Sequence, residues 1–409
     1  MEALLTRLKN LGPGLLVTAA FIGPGTVTTA TVTGGSTGYA LLWALVVAIF
    51  ATIVLQEMSA RLGVVSREGL GEALRTTFDN PVFKVLAVVL VVAAIAVGNA
   101  AYEGGNITGA AIALETVGGS ADTWALVVGV SAFALLASGA YKVIERTLVA
   151  LVIVMSIVFL VTAIMVRPSL GDIAGGVLVP DIPAGELLTV TALVGTTVVP
   201  YNLFLHASSV QEKWSETVPT GQALAESRTD TTLSIILGGL ITMAIVSTAA
   251  AAFFRSGTEV TSAAQMAEQL EPLLGATAKY FFAVGLLAAG LTSAITAPLA
   301  AAYATSGALG WGRDLSSWRF RSVWAVIVVV GTAYAYFGTN PVSLIVFAQV
   351  ANGILLPAVA IFLLIVMNRS NLLGQYTNGP VTNTLGGVVV LLATGLGIYS
   401  ILDVAGVLG

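Results

Sequence analysis

Eleven long apolar runs, separated by short charged or turn-rich breaks, constrain this chain more than any other feature. They fall at approximately 11–31, 39–60, 84–113, 122–139, 146–166, 187–207, 231–254, 275–309, 321–338, 341–367 and 384–405. About 20 mostly apolar residues are needed for a helix to cross the hydrocarbon of a bilayer, and these runs are of that order. Composition agrees: 57% of the residues are hydrophobic and only 9% charged, whereas a soluble domain carries roughly a quarter charged residues. Such numbers exclude an ordinary globular fold and a disordered chain alike. The reading is an all-α, polytopic membrane protein of eleven transmembrane helices, forming one domain over residues 1–409. The first run is too long for the apolar core of a cleaved leader and leads directly into further spans.

Several chemistries are excluded by residue type. Cysteine is absent and His206 is the one histidine, which removes zinc-finger, haem, thiol-redox and histidine-triad readings. The net charge of −4 brings no basic block for nucleic acid. No GxxxxGK[ST] loop is present, so any active transport is coupled to an ion gradient. No nucleophile–base pair lies in the spans, and the chain reads as a non-enzyme.

Orientation follows from Lys and Arg in short loops. With the N-terminus in the cytoplasm, fourteen of the 17 cations fall on the cytoplasmic side, Arg7, Lys9, Arg61, Arg228 and Arg313 among them. Only Arg167, Arg255 and Lys279 fall outside. The expectation is an inner or plasma membrane protein with its N-terminus inside and its C-terminus outside.

Two of the runs are interrupted. The first contains Ile22-Gly23-Pro24-Gly25-Thr26, and the sixth contains Gly195-Thr196-Thr197-Val198-Val199-Pro200-Tyr201-Asn202. Proline removes a helix hydrogen bond and glycine lets the backbone unwind. Broken helices at corresponding places in two halves point to a midplane transport site, because unwound backbone survives at that depth only around a cavity or within protein. This predicts a five-plus-five inverted repeat, one half about 11–166 and the other about 187–367, with a further helix at about 384–405. Gln349 and Asn352 add polar groups in the tenth run; an interhelical hydrogen bond explains them equally well. In the third run Glu103 stands inside an apolar segment beside Tyr102, Asn106 and Thr108. An acid at that depth is costly and reads as part of a proton or ion path. The small residues from Ala288 to Ala294 read as close helix packing rather than chemistry.

At these residues the sequence resembles the natural resistance-associated macrophage protein (Nramp) family of divalent-metal transporters. Leu11-Gly-Pro-Gly14 with Gln56 and Ala60-Arg-Leu-Gly63 resembles the first two helices. Gly195 to His206 resembles the sixth, Gly290 to Ala300 the eighth, and Gln349 with Leu356-Pro357 the tenth. The resemblance implies a LeuT-type inverted repeat with discontinuous helices one and six, acting as a monomeric symporter of a small inorganic cation with protons as a possible co-substrate. Its implied ligands fall on positions that have changed. The family's Asp-Pro-Gly-Asn is here Gly23, Pro24, Gly25 and Thr26, and its Met-Pro-His is Val199, Pro200 and Tyr201. On the proton route the family's two acids become Glu103 and Asn106, with His206 further along. The oxygen groups of Gly23, Thr26, Thr196, Asn202 and Gln349 would make a weak site for a hard cation. Alternatives stay open at this point: a carrier of a neutral or organic solute on the same fold, or a membrane sensor that transports nothing.

Overall fold

The computed structural model describes residues 12–78, 80–139, 141–312 and 314–407. Arg7, Lys9, Leu11 and Arg313, used above, lie outside them. The described residues are helical, with no strands among them. In chain order the helices are α1 (Pro13–Phe21), α2 (Pro24–Thr37), α3 (Leu42–Ser66), α4 (Leu70–Thr77), α5 (Pro81–Glu115), α6 (Ala121–Ser138), α7 (Tyr141–Val166), α8 (Leu170–Leu178) and α9 (Leu187–Thr197). There follow α10 (Pro200–Lys213), α11 (Thr220–Ala249), α12 (Ala263–Glu268), α13 (Glu271–Leu274), α14 (Ala278–Leu309), α15 (Trp318–Phe337), α16 (Pro341–Val366), α17 (Ser370–Leu373) and α18 (Pro380–Val404).

Local chemistry sets the helix starts. Six of these helices (α1, α2, α5, α10, α16 and α18) begin on proline, whose fixed φ suits the first helical position and whose missing N–H is no loss there. Side chains cap two of these, α5 and α16, and also α15: Asn80 Oδ1 accepts from Val82 N at 2.9 Å, Asn340 Oδ1 from Ser343 N at 3.2 Å, and Ser317 Oγ from Phe320 N at 3.3 Å. Left-handed glycines, Gly139 and Gly310, close α6 and α14.

Ten helical stretches among the described residues are long and apolar enough to cross a membrane. The first expected run is not one of them; it folds as two short helices, α1 and α2, on either side of a break. Burial sorts the stretches into centre and periphery. In the most apolar part of Leu187–Lys213, 83% of residues are buried within the protein, against 28% in Pro380–Val404. On α5, α7 and α18 the outward residues are aliphatic, Leu86, Ile164 and Leu391 among them. A surface of that kind is stable against lipid tails and not against water.

Helix boundaries depart from expectation where helices run on into polar sequence. The seventh run begins at Thr220 rather than 231, and ends in a π-helical turn at Ala250–Phe254. Asp230, just outside the expected run, therefore sits inside α11 and is buried. Arg61 and Arg228 likewise lie within α3 and α11. Glu57 joins them, 3.2 Å from Arg61 and 2.9 Å from Arg228. Arg61 also donates to the Tyr376 carbonyl at 2.7 Å and to Asn378 Oδ1 at 2.6 Å. Arg67 donates to the carbonyl of Trp214. These bonds gather the end of α3, the α10–α11 connection and the α17–α18 connection at one end of the bundle.

Candidate functional site

The two breaks have the same construction. Ile22 ends α1 at φ −78° and ψ 66°, and Val198 ends α9 at φ −100° and ψ 72°. Each still donates its N–H back to the fourth residue before it, Thr18 O at 3.1 Å and Val194 O at 2.8 Å. One extended residue follows, Gly23 or Val199, and then Pro24 or Pro200 opens a helix of 14 residues. Each break thus sets a helix C-terminus, with its partial negative charge, next to a helix N-terminus with its partial positive charge.

The breaks face each other. Thr26 Oγ1 and Thr196 Oγ1 are 2.7 Å apart, and Thr26 also donates to the Phe21 carbonyl. Gln349 on α16 closes the third side. Its side chain lies so close over Gly25 that a Cβ there would meet its Cδ at 2.5 Å, and its carbonyl occupies the space a side chain at Gly195 would need. Gln349 Nε2 makes a long 3.4 Å bond to Ile345 O, while Oε1 is buried without a partner. Asn202, in the first turn of α10, is buried with neither amide atom bonded. Each unsatisfied buried group of this kind costs about 1–3 kcal/mol. Their concentration where two helices are already broken marks a place built to receive something with complementary groups.

The remaining expected residues divide into two sets. Val199 and Tyr201 belong with the breaks, packed in one buried apolar cluster with Phe21, Ile22 and Tyr102. The Tyr102 and Tyr201 rings meet edge to face at 5.5 Å. The others lie elsewhere. Asn352, one turn beyond Gln349, is buried near Gly98 of α5, with Nδ2 unbonded. Glu103 turns towards α15, and a Cβ at Gly331 would stand 2.6 Å from its Cγ. Its Oε2 accepts from Asn106 Nδ2 at 3.4 Å; Oε1 has no partner. His206 lies further along α10, with Nδ1 2.9 Å from Gln56 Oε1 and Nε2 3.5 Å from Thr231 Oγ1.

Two residues at the break escaped sequence reasoning. A Cβ at Gly23 would meet Ser293 Oγ at 2.8 Å and Tyr102 Oη at 3.5 Å. Hydroxyls therefore border the space that an acidic side chain at position 23 would fill. Ser293 Oγ is buried and unbonded, which places it with the candidate site and not only with the close packing read from its neighbours. The one advance signal was its hydroxyl, which it shares with Thr292 and Thr296 in the same stretch.

A cleft of about 640 Å³ opens beyond this point, between the end of α2, the start of α9, the segment after α11 and the start of α16. Val350, next in sequence to Gln349, lines it. Towards the other end, α1 is packed hard on α11: a Cβ at Gly238 would meet Thr18 Cγ2 at 2.7 Å and Phe21 Cζ at 2.5 Å. The polar groups around the breaks are hydroxyls, amides and carbonyls. No cluster of three or more His, Cys, Asp or Glu that could hold a metal occurs among the described residues.

A multi-pass helical bundle with two opposed broken helices is the LeuT-type fold of membrane transporters, as comparison with solved structures also shows. The manganese transporter of Eremococcus coleocola, in complex with an aromatic bis-isothiourea compound, superposes with a TM-score of 0.79 at 22% identity, covering 97% of this chain and 87% of that one. Mhp1, a nucleobase-cation-symport-1 family transporter in a closed conformation with bromovinylhydantoin bound, gives 0.59 at 14% identity, covering 97% and 92%. Residues 14–403 match the family described as natural resistance-associated macrophage protein-like. The divalent metal cation transporter MntH of Bradyrhizobium diazoefficiens is 32% identical over 93% of this chain and 87% of its own length. MntH of Aeromonas hydrophila is 29% identical over 96% and 95%. This chain belongs to the Nramp family.

Proposed function

We propose that the chain is a secondary transporter importing a hard divalent cation, Mg²⁺ or Mn²⁺, through the gap between its two broken helices. Membership of a family with divalent metal cation transporters supports the cargo class. The observation that carries the refinement is the donor set, Thr26, Thr196, Asn202, Gln349 and Ser293, which offers oxygen without a carboxylate or thioether. Neutral oxygen ligands suit an ion that keeps much of its water, as Mg²⁺ does. A soft ion has nothing here to prefer, since Val199 presents no sulfur. Thr26 and Thr196 would exchange their mutual hydrogen bond for the ion or its water. The break carbonyls at the ends of α1 and α9 would supply partial negative charge.

In this reading the protein sits in the cell membrane with its N-terminus in the cytoplasm, and the cleft above α16 opens outside. One copy holds the whole path, built as two five-helix repeats, about 11–166 and 187–367, with the helix at about 384–405 appended. Glu103 relays a proton beside the cation path, with Asn106 as its hydrogen-bond partner.

A second reading, a carrier of a neutral solute, is favoured by the same absence of charge at the breaks. Uptake into proteoliposomes tests both. Mg²⁺, Mn²⁺, Ca²⁺ and Cd²⁺ are offered in turn with a pH-sensitive dye inside. Saturable uptake of Mg²⁺ or Mn²⁺ supports the cation reading, and dye acidification in step with it supports proton coupling. Uptake at the level of empty liposomes for every ion leaves the neutral-solute reading.

A further inference from the structure

The membrane-length stretches Glu271–Leu309 and Trp318–Phe337 are joined by residues 310–317 alone. A connection that short stays at the bilayer surface, so the side chains it carries meet lipid headgroups. Its composition suits that level. Trp311 within it and Trp318 at the start of α15 are amphipathic rings of the kind that favour the interface. Trp318 is exposed, as are Leu309 and Leu315 on either side of the turn.

Basic side chains from two separate segments converge on this turn. Helix α4 runs along the end of α14: a Cβ at Gly71 would meet the Ala304 carbonyl at 2.5 Å, and one at Gly307 would meet Glu72 N at 3.2 Å. A Cβ at Gly310 would collide with Arg75 Nη1, so α4 delivers Arg75 to the turn. From the other side, Arg319 Cζ stands 5.9 Å from the Trp311 ring centre and 6.0 Å from that of Trp318. Contact with ring faces steadies a guanidinium and leaves its N–H edge free to bind. Arg321 follows and is exposed too. Among the described residues, no hydrogen bond or ion pair engages the side chains of Arg75, Arg319 or Arg321. Nearby acids are turned elsewhere. Asp314 accepts from Ser316 N at 2.9 Å and Ser316 Oγ at 2.7 Å, although its field reaches Arg321. Glu72 accepts from Gly69 N at 2.9 Å.

We propose that Arg75, Arg319 and Arg321, with Trp311 and Trp318, form a site for the headgroup of an anionic phospholipid. Arg319 takes the phosphate through the paired N–H groups of its fork, and Arg75 and Arg321 flank it. The acyl chains descend the outer face of α15, where Val326 and Val330 are exposed on the same helical stripe as Arg319. A zwitterionic headgroup fits less well, because its own cation meets the same guanidiniums. The loop cations place this end in the cytoplasm, where the leaflet carries anionic lipid. The site stands on the membrane-spanning fold and is independent of the cargo.

Full-length protein in detergent is mixed with phosphatidylglycerol, or with phosphatidylcholine of the same acyl chains, and retained lipid is counted by native mass spectrometry. Phosphatidylglycerol should be retained at concentrations where phosphatidylcholine is not. Arg319→Gln should weaken that retention about tenfold, as loss of a charge-assisted hydrogen bond does. Arg75→Gln should act in the same direction. Arg255→Gln, at an exposed arginine beside the cleft, should leave retention unaltered. Excess inorganic phosphate should not displace the lipid, whose acyl chains help to hold it. Equal retention of the two lipids overturns the proposal, as does unchanged retention in folded Arg319→Gln and Arg75→Gln protein, or an equal loss in Arg255→Gln. Displacement by phosphate would make this a site for a free anion and overturn the lipid assignment. Thermal unfolding checks each variant, and if one of the two arginine variants fails to fold, the other decides.

Discussion

Thr26 and Thr196 stand 170 residues apart in sequence, yet their hydroxyl oxygens are 2.7 Å apart. Each hydroxyl belongs to the first or last turn of a half-helix, so this bond ties the second half of one broken helix to the first half of the other. Replacing either by valine keeps the shape and removes the bond. Thr26→Val and Thr196→Val should each lower stability by about 1–2 kcal/mol. The double variant should lose less than the sum, because one bond is lost in both cases. Denaturant unfolding of the three variants measures this, and additive losses would mean that the two hydroxyls do not interact.

Glu103 gives a prediction about coupling. It packs closely against Gly331, and its one modest bond is to Asn106. Glu103→Gln preserves shape and can keep that bond, so the protein should fold and transport should lose its dependence on pH. Gly331→Ala should crowd the same side chain and destabilise by about 1–3 kcal/mol, as overpacking does. Uptake measured from pH 5 to 8 checks the first point. An unaltered profile in folded Glu103→Gln protein would assign Glu103 a purely structural part.

Gly195 gives a prediction about packing. Its missing side chain lets the backbone of α16 at Gln349 and Gly353 come against α9, with Gly353 N 2.6 Å from where a Cβ would be. Backbone cannot move aside as a flexible side chain can. Gly195→Ala should cost about 3 kcal/mol or more, or prevent folding. Gly23→Ala should cost much less, because its nearest neighbour is the Ser293 hydroxyl, which can rotate. Thermal unfolding of the two variants side by side measures the contrast.

The two breaks were legible because proline and glycine act on the backbone locally, whatever surrounds them. The spacing of Pro24 and Pro200 in their runs was enough to pair them. Asp230 was not legible: the first third of α11 is polar, and apolar periodicity cannot mark a helix that enters water or a polar seam. Nor could sequence show that Ser293 and Tyr102 border the space at Gly23, since that relation joins three helices. The direction of Glu103 was hidden for a similar reason. It shares a segment with Tyr102, yet adjacent residues on a helix point about 100° apart, and only one of the pair faces the breaks.

The most direct test of a cation site between the breaks is exchange of its selectivity. Gly23→Asp with Val199→Met supplies a carboxylate at one break and a thioether at the other; Ser293→Gly can be added to make room for the carboxylate. Initial uptake of Mg²⁺ and Cd²⁺ into proteoliposomes is compared between unaltered protein and the variant. The unaltered protein should move Mg²⁺ and leave Cd²⁺ near background. The variant should gain about tenfold or more in Cd²⁺ uptake, because a soft ligand and a charge are added where cargo sits. A folded variant that gains no Cd²⁺ uptake, beside an unaltered protein that moves neither ion, would contradict a cation site at the breaks.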